Sequence, residues 1–181
     1  MQKKPSNSIL KVVLTGPEST GKSTLSKKLA AHYQTVCVPE YARFYIAALD
    51  RPYNSEDILQ IAKGQLESED EFSPKANKIL FLDTALLVPK IWSEVAYGFC
   101  PDWIENELIS RHYDLYLLMS PDIDWQPDPQ REHPHFRVQL FEMYKEELQK
   151  LHTPYILIEG TYKNRFNTAI QAIEEMARSK K

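Results

Sequence analysis

Eight consecutive residues, Gly16-Pro17-Glu18-Ser19-Thr20-Gly21-Lys22-Ser23, fit the pattern G-x-x-x-x-G-K-[ST]. That pattern belongs to loops that cradle phosphate. Its glycines let the backbone curl so that successive N–H groups point inward. A helix starting where the loop ends adds its positive pole. A lysine at this place reaches the outer phosphates of a nucleoside triphosphate such as ATP, and the hydroxyl after it suits Mg²⁺. Lys22 and Ser23 take those positions, and Gly16 through Thr24 form the phosphate-binding stretch. Glu18 within it faces solvent or the metal. In a chain this long a chance match is on the order of one in a hundred by average composition. The plain alternative is a strand-turn-helix corner with a surface lysine.

Other candidate chemistry sits where apolar runs end. Asp83 closes the run Lys78-Ile79-Leu80-Phe81-Leu82, as a Walker-B carboxylate does, and suits Mg²⁺ directly or through water. It equally suits the N-cap of a following helix. Glu40 and Arg43, in Pro39-Glu40-Tyr41-Ala42-Arg43, follow another short run. A carboxylate there can take the proton from a 5′-hydroxyl that attacks a γ-phosphate; the alternative is the charged start of a surface helix. Arg131, with Arg137 just beyond, lies in a proline-rich charged stretch. Arginine spreads phosphoryl charge in a transition state, and a mobile lid can deliver it on closing. The same stretch also reads as a solvated charged loop. Trp92 and Trp125 are the aromatics best placed to stack on a flat ring, although most aromatics at helical spacing are core. His133 and His135 have no other Cys or His nearby in sequence to complete a metal site.

The elements that must position these groups alternate. Strands are expected at Ile9–Thr15, Thr35–Val38, Lys78–Leu82, Tyr113–Met119 and Pro154–Ile158, from short β-branched or apolar runs. Helices are expected at Lys22–Tyr33, Tyr41–Leu49, from an Asn54 or Ser55 cap to about Phe72, Ala85–Val95 with Pro89 near its first turn, Trp103–His112, Phe136–Leu151 and Lys163–Lys181. Residues 1–8 read as a loose tail and 9–181 as one domain. The segment Ser120–Pro134 holds four prolines and reads as a long loop, with a lid at about 121–137. Strand-helix alternation argues an α/β fold, a parallel sheet covered on both faces. Ligands of such sheets bind beyond the carboxyl ends of the strands, where the residues above are found.

Composition narrows the partners. The chain has 181 residues, 43% hydrophobic and 26% charged, with a formal net charge of −3. It is long enough to bury a core and lacks the basic excess of a nucleic-acid binder. No apolar run approaches the ~20 residues of a membrane span. Residues 1–8 are unlike a secretory leader. Cys37 and Cys100 form no framework, so the expected setting is the reducing cytoplasm.

Several motifs together resemble one family. The stretch Thr15 to Thr24, then Val38-Pro39-Glu40-Tyr41-Ala42-Arg43, Asp83-Thr84, Lys90-Ile91-Trp92-Ser93-Glu94 and Tyr113 to Leu118 are similar to the NadR-type ribosylnicotinamide kinases. Pro127-Asp128-Pro129-Gln130-Arg131-Glu132 and Gly160-Thr161-Tyr162 with Arg165 extend the likeness to about residues 9–175. The resemblance implies a P-loop NTPase fold with sheet order 2-3-1-4-5. It implies transfer of the ATP γ-phosphate, with Mg²⁺, to the 5′-hydroxyl of nicotinamide riboside, giving nicotinamide mononucleotide. It puts Lys22 and Ser23 on ATP and Mg²⁺, Asp83 and Glu40 near metal and substrate, Tyr41 and Arg43 toward the substrate, Arg131 in the lid, and Thr161 to Arg165 beside the adenine.

Departures from the family pattern bear on the substrate. Ala85 stands where D-T-D would place a second acid, and Phe44 where an acidic residue often follows the arginine. The kinase-like region fills the chain, leaving no stretch for the nucleotidyltransferase domain of larger members. Two rival readings remain. One is a kinase for another small acceptor, such as a deoxyribonucleoside or a nucleoside monophosphate; the latter would want several arginines, whereas only Arg43 and Arg51 follow the second strand. The other is a nucleotide-dependent switch that hydrolyses ATP slowly.

Overall fold

The first strand is apolar on both sides because both its faces are covered. In the computed structural model, which describes residues 9–180, β1 (Leu10–Thr15) lies at the centre of the sheet. Its side chains alternate between two cores. Val13 joins Leu80, Leu82, Tyr116 and Leu118 on one face, while Val12 and Leu14 join Phe81, Leu117 and Met119 on the other. The expected tail at 1–8 and Lys181, the expected end of the last helix, fall outside the described residues.

The remaining strands are β2 (Cys37–Val38), β3 (Ile79–Asp83), β4 (Leu115–Met119) and β5 (Tyr155–Ile158). All pair in parallel, in the order β2-β3-β1-β4-β5. The helices are α1 (Lys22–His32), α2 (Tyr41–Ala47), α3 (Ser55–Phe72), α4 (Leu87–Tyr97), α5 (Asp102–Ser110), α6 (Arg137–Lys150) and α7 (Tyr162–Ser179). The α1 and α7 helices cover one face through Leu25, Leu29, Ala169 and Ile173. The other face is covered by α3 to α6, through Ile58, Ile91, Ile104 and Leu148. Burying one such side chain is worth about 1.5–3 kcal/mol, so the two cores, more than helix propensity, hold the layers.

Local chemistry explains the differences from the expected bounds. Thr35 leaves β2 because its hydroxyl donates to Ile79 O at 2.6 Å and accepts from Asn77 N at 2.8 Å. Asn54, not Ser55, caps α3: its Oδ1 accepts from Glu56 N and Asp57 N, and Asp57 returns a bond to Asn54 N. This reciprocal arrangement satisfies orphan donors at both residues. Thr84 takes a positive φ of 78°, which delays α4 until Leu87. Pro89 then falls in the first turn, where a missing N–H costs nothing. No described helix is long and apolar enough to cross a membrane.

The corner between β1 and α1 is tight. Gly16 has φ 125°, and a Cβ there would lie 2.8 Å from Met119 O at the end of β4. Such backbone strain costs of order 1–3 kcal/mol, and the contact adds to it. Gly16→Ala is therefore expected to lower stability by about 2 kcal/mol or more. A urea titration reads this directly, and an unchanged midpoint would show that the corner relaxes.

Candidate active site

The phosphate loop forms because its conformation is locally paid out in hydrogen bonds. Ser19 and Gly21 adopt positive φ angles of 54° and 81°. The Thr20 hydroxyl donates to Pro17 O at 2.9 Å. Lys22, the first residue of α1, donates through Nζ to Gly16 O at 2.9 Å and Pro17 O at 2.6 Å. Burial pushes the Lys22 pKa down, while Glu40, Asp83 and Glu18 pull against it. The ammonium thus sits in a desolvated place already furnished with opposite charge.

Asp83 ends β3 at the base of this loop. It does not cap α4, which starts four residues on. Its side chain bonds Ser23, and burial pushes its carboxyl above the usual range against the opposing effects of Ser23 and Lys22. Its Oδ1 is buried without a hydrogen-bond partner. A buried acceptor with no donor is costly unless something cationic meets it. An orphaned carboxylate oxygen beside a serine hydroxyl fits Mg²⁺, which takes one or two protein oxygens and fills its shell with phosphate and water. Among the described residues no cluster of three or more His, Cys, Asp or Glu could hold a metal alone, and His133 and His135 join none.

A cavity of about 250 Å³ opens from the loop toward α2 and α4. Glu40, Arg43, Ile91 and Trp92 form its walls, and Gln130 and Arg131 close over it. Glu40 Oε2 lies 3.4 Å from Arg43 Nε. Burial raises the Glu40 pKa, and Lys22 acts to lower it. Arg43 Nη1 also donates to Asp128 Oδ2 at 3.0 Å. The Trp92 indole donates to the Tyr53 hydroxyl at 3.1 Å, which donates in turn to Glu132 Oε2 at 2.8 Å. Burial, with Glu132 beside it, pushes the Tyr53 hydroxyl up to about 12.

The proline-rich segment is seated on both halves of this cavity. Gln126 N donates to Ser19 Oγ at 2.8 Å, and Glu132 N and His133 N donate to Glu18 Oε2 at 3.1 and 3.3 Å. On the far side Gln130 Nε2 donates to Arg43 O at 3.2 Å. Glu18 is thus a seat for the segment. Arg131 faces the cavity, with its guanidinium hydrogen-bonded to Gln126 O.

Six predicted residues stand away from the cavity walls, Asp83 at the base of the loop being the first. Tyr41 turns its ring against Gly64 of α3, and its N–H donates to Gln65 Oε1 at 2.9 Å. Trp125 packs with its ring centre 5.7 Å from the Arg137 guanidinium. Arg137 donates to Ser19 O at 3.3 Å and Ile123 O at 3.0 Å, where it braces the loop. Thr161 caps α7, accepting from Asn164 N at 3.3 Å. Arg165 is 2% exposed, and backbone carbonyls and Asp122 occupy its donors. The desolvated Arg165 guanidinium needs its donors satisfied, which is why it turns to main-chain oxygens and Asp122. Conversely Tyr53, Val88, Val95 and Tyr144 line the cavity without having been singled out. Helical spacing alone marks Val88, Ile91, Trp92 and Val95 as one face of α4. No local pattern marks Tyr53.

Sheet order and phosphate loop together are those of the P-loop fold. The chain belongs to the AAA domain family, whose model matches residues 11–165. It is 27% identical over 176 residues to the trifunctional NAD biosynthesis/regulator protein NadR of Salmonella typhimurium, across 91% of this chain and 42% of that protein. A crystal structure of NadR in complex with NR superposes with a TM-score of 0.78 at 24% identity, covering 93% of this chain and 51% of that one. Deoxyadenosine kinase from M. mycoides superposes with a TM-score of 0.63 at 12% identity, covering 92% and 100%. The chain is thus similar to part of NadR, and it spans about half the length of the NadR chains it matches.

The raised Glu40 pKa has a consequence for stability. The fold favours the neutral carboxyl, so stability is fullest below the unfolded pKa and is lost as pH rises through the folded one. Glu40→Gln should therefore unfold at higher urea than the parent at pH 7, with the gap shrinking toward pH 4. An equal or lower midpoint at pH 7 would show that Arg43 and Lys22 fully compensate the buried charge.

Proposed function

We propose that this chain transfers the γ-phosphate of ATP to the 5′-hydroxyl of nicotinamide riboside, giving nicotinamide mononucleotide and ADP. The observation that carries the acceptor class is the state of the arginines beside β2. Arg43 is committed to Asp128 and Glu40, and Arg51 to Asp57 at 2.7 Å. An acceptor already bearing a phosphate would need a free guanidinium there. The walls instead offer Glu40 and a Tyr53–Trp92 pair with ring centres 4.8 Å apart, which suit a hydroxyl and a flat ring. The NadR protein solved in complex with NR supports the choice among nucleosides.

In this reading Lys22, Ser23 and the loop amides hold the triphosphate. Asp83 with Ser23 would hold Mg²⁺, which neutralises phosphate charge when bound. Glu40 faces the cavity and Asp83 lies beneath the loop, so Glu40 accepts the proton of the attacking 5′-oxygen. The new oxygen–phosphorus bond forms as the bond to ADP breaks. A carboxylate with a raised pKa is the better base near neutrality. Arg131 supplies charge from above, and the seated segment keeps water from competing. Tyr41, Thr161 and Trp125 have no place in the chemical step.

The test is ADP release from Mg·ATP with nicotinamide riboside, common nucleosides, deoxynucleosides, nucleoside monophosphates or no acceptor. Fast turnover is expected with nicotinamide riboside alone, and Lys22→Ala should reduce it by about 100-fold or more. Turnover with a different nucleoside would keep the site and change the substrate; equal slow turnover with and without acceptors would favour the switch.

A further inference from the structure

Arg165 has the burial of a core leucine and the contacts of a clamp. Its Nη1 donates to Thr20 O in the phosphate loop at 3.0 Å. Its Nε donates to Gly160 O at 2.8 Å and its Nη2 to Ser120 O at 3.1 Å, after β5 and β4 respectively. Asp122 pairs with the same guanidinium and accepts from Gly160 N at 2.6 Å. One planar cation thus joins the phosphate loop to the loops that follow two strands. None of its donors reaches the cavity.

The consequence follows from peptide geometry. No cis peptide bond occurs among the described residues. In a trans peptide the C=O and the next N–H point opposite ways. Holding Thr20 O against Arg165 therefore turns the Gly21 N–H to the other side of the loop, where Gly21 lines the cavity beside Lys22. Gly21, at φ 81°, has the backbone freedom to flip if that carbonyl is released.

We propose that Arg165, held by Asp122, is a positioning residue that aims a phosphate-binding amide of the loop from outside the site, and that it makes no contact with the nucleotide base. The inference rests on the reading that the loop holds a nucleoside triphosphate. It differs from the role implied by resemblance, in which this stretch lies beside the adenine.

The experiment compares binding of ATP and of inorganic tripolyphosphate, each with Mg²⁺, to the full chain by calorimetry. Arg165→Met should weaken both ligands by the same factor, about tenfold, because a charge-assisted bond to the loop is lost. Asp122→Asn, at a partly exposed carboxylate, should weaken both by roughly threefold and keeps the question open to test if the first variant fails to fold. In turnover, the KM for ATP should rise while the acceptor KM stays. A loss confined to ATP would overturn the proposal in favour of a base contact. Undiminished binding of both ligands by the variants would overturn it outright. A parent protein that binds neither ligand would instead remove the triphosphate reading beneath it.

Discussion

Every peptide that offers an N–H to a phosphate has a carbonyl to dispose of elsewhere. That constraint shapes this protein more than any side chain in its cavity. A phosphate loop needs several amides aimed at one point, so several carbonyls must face away, and buried carbonyls need donors. Here one donor is local, Thr20 for Pro17 O, and two come from distant parts of the chain: Arg137 for Ser19 O and Arg165 for Thr20 O. The closeness of Gly16 to the end of β4 belongs to the same economy, because those distant donors arrive on the segments after β4 and β5.

The charges inside the site are held in deliberate tension. Lys22, Glu40 and Asp83 all lose solvation, and burial drives each toward its neutral form. Their mutual attraction opposes this. Desolvation can exceed Coulombic gain for buried ions, so the arrangement is poor as a stabiliser and, in the proposed function, serves as a preorganised receptor for a triphosphate. The ion triad of Lys90 with Glu94 and Glu147, at 2.5 and 3.0 Å, shows the contrasting structural use, tying α4 to α6. There every charge has its partner and no buried oxygen is left over.

Much of the fold was legible because periodicity reports burial. Five apolar runs became five strands, in the sheet order the resemblance implies, and the glycine-lysine-serine sequence marked the turn from β1 into α1. The facing of long polar side chains was not legible. Arg131, Arg137 and Arg165 all hydrogen-bond main-chain carbonyls, yet only Arg131 also lines the cavity. Which occurs depends on where main-chain oxygens are stranded in three dimensions, information that local spacing does not contain. The resemblance puts Tyr41 toward the substrate. Glu40, just before α2, and Arg43 within it line the cavity, while the ring of Tyr41 fills the space above Gly64.

In the proposed reaction the segment 121–137 acts as a lid and joins two halves that chemistry must keep in step. Its contacts divide between the nucleotide side, at Glu18 and Ser19, and the acceptor side, at Arg43 and Tyr53. A segment tied to one half alone would close on ATP whether or not an acceptor were present, and water would take the phosphate. A segment tied to both is seated best when both halves are ordered. Arg131 lies between the two sets of ties, so the same condition governs the one lid arginine that faces the cavity. Coupling of this kind needs no distant signal: the acceptor-side residues Arg43 and Tyr53 are themselves lid anchors, so whatever orders them also seats the lid.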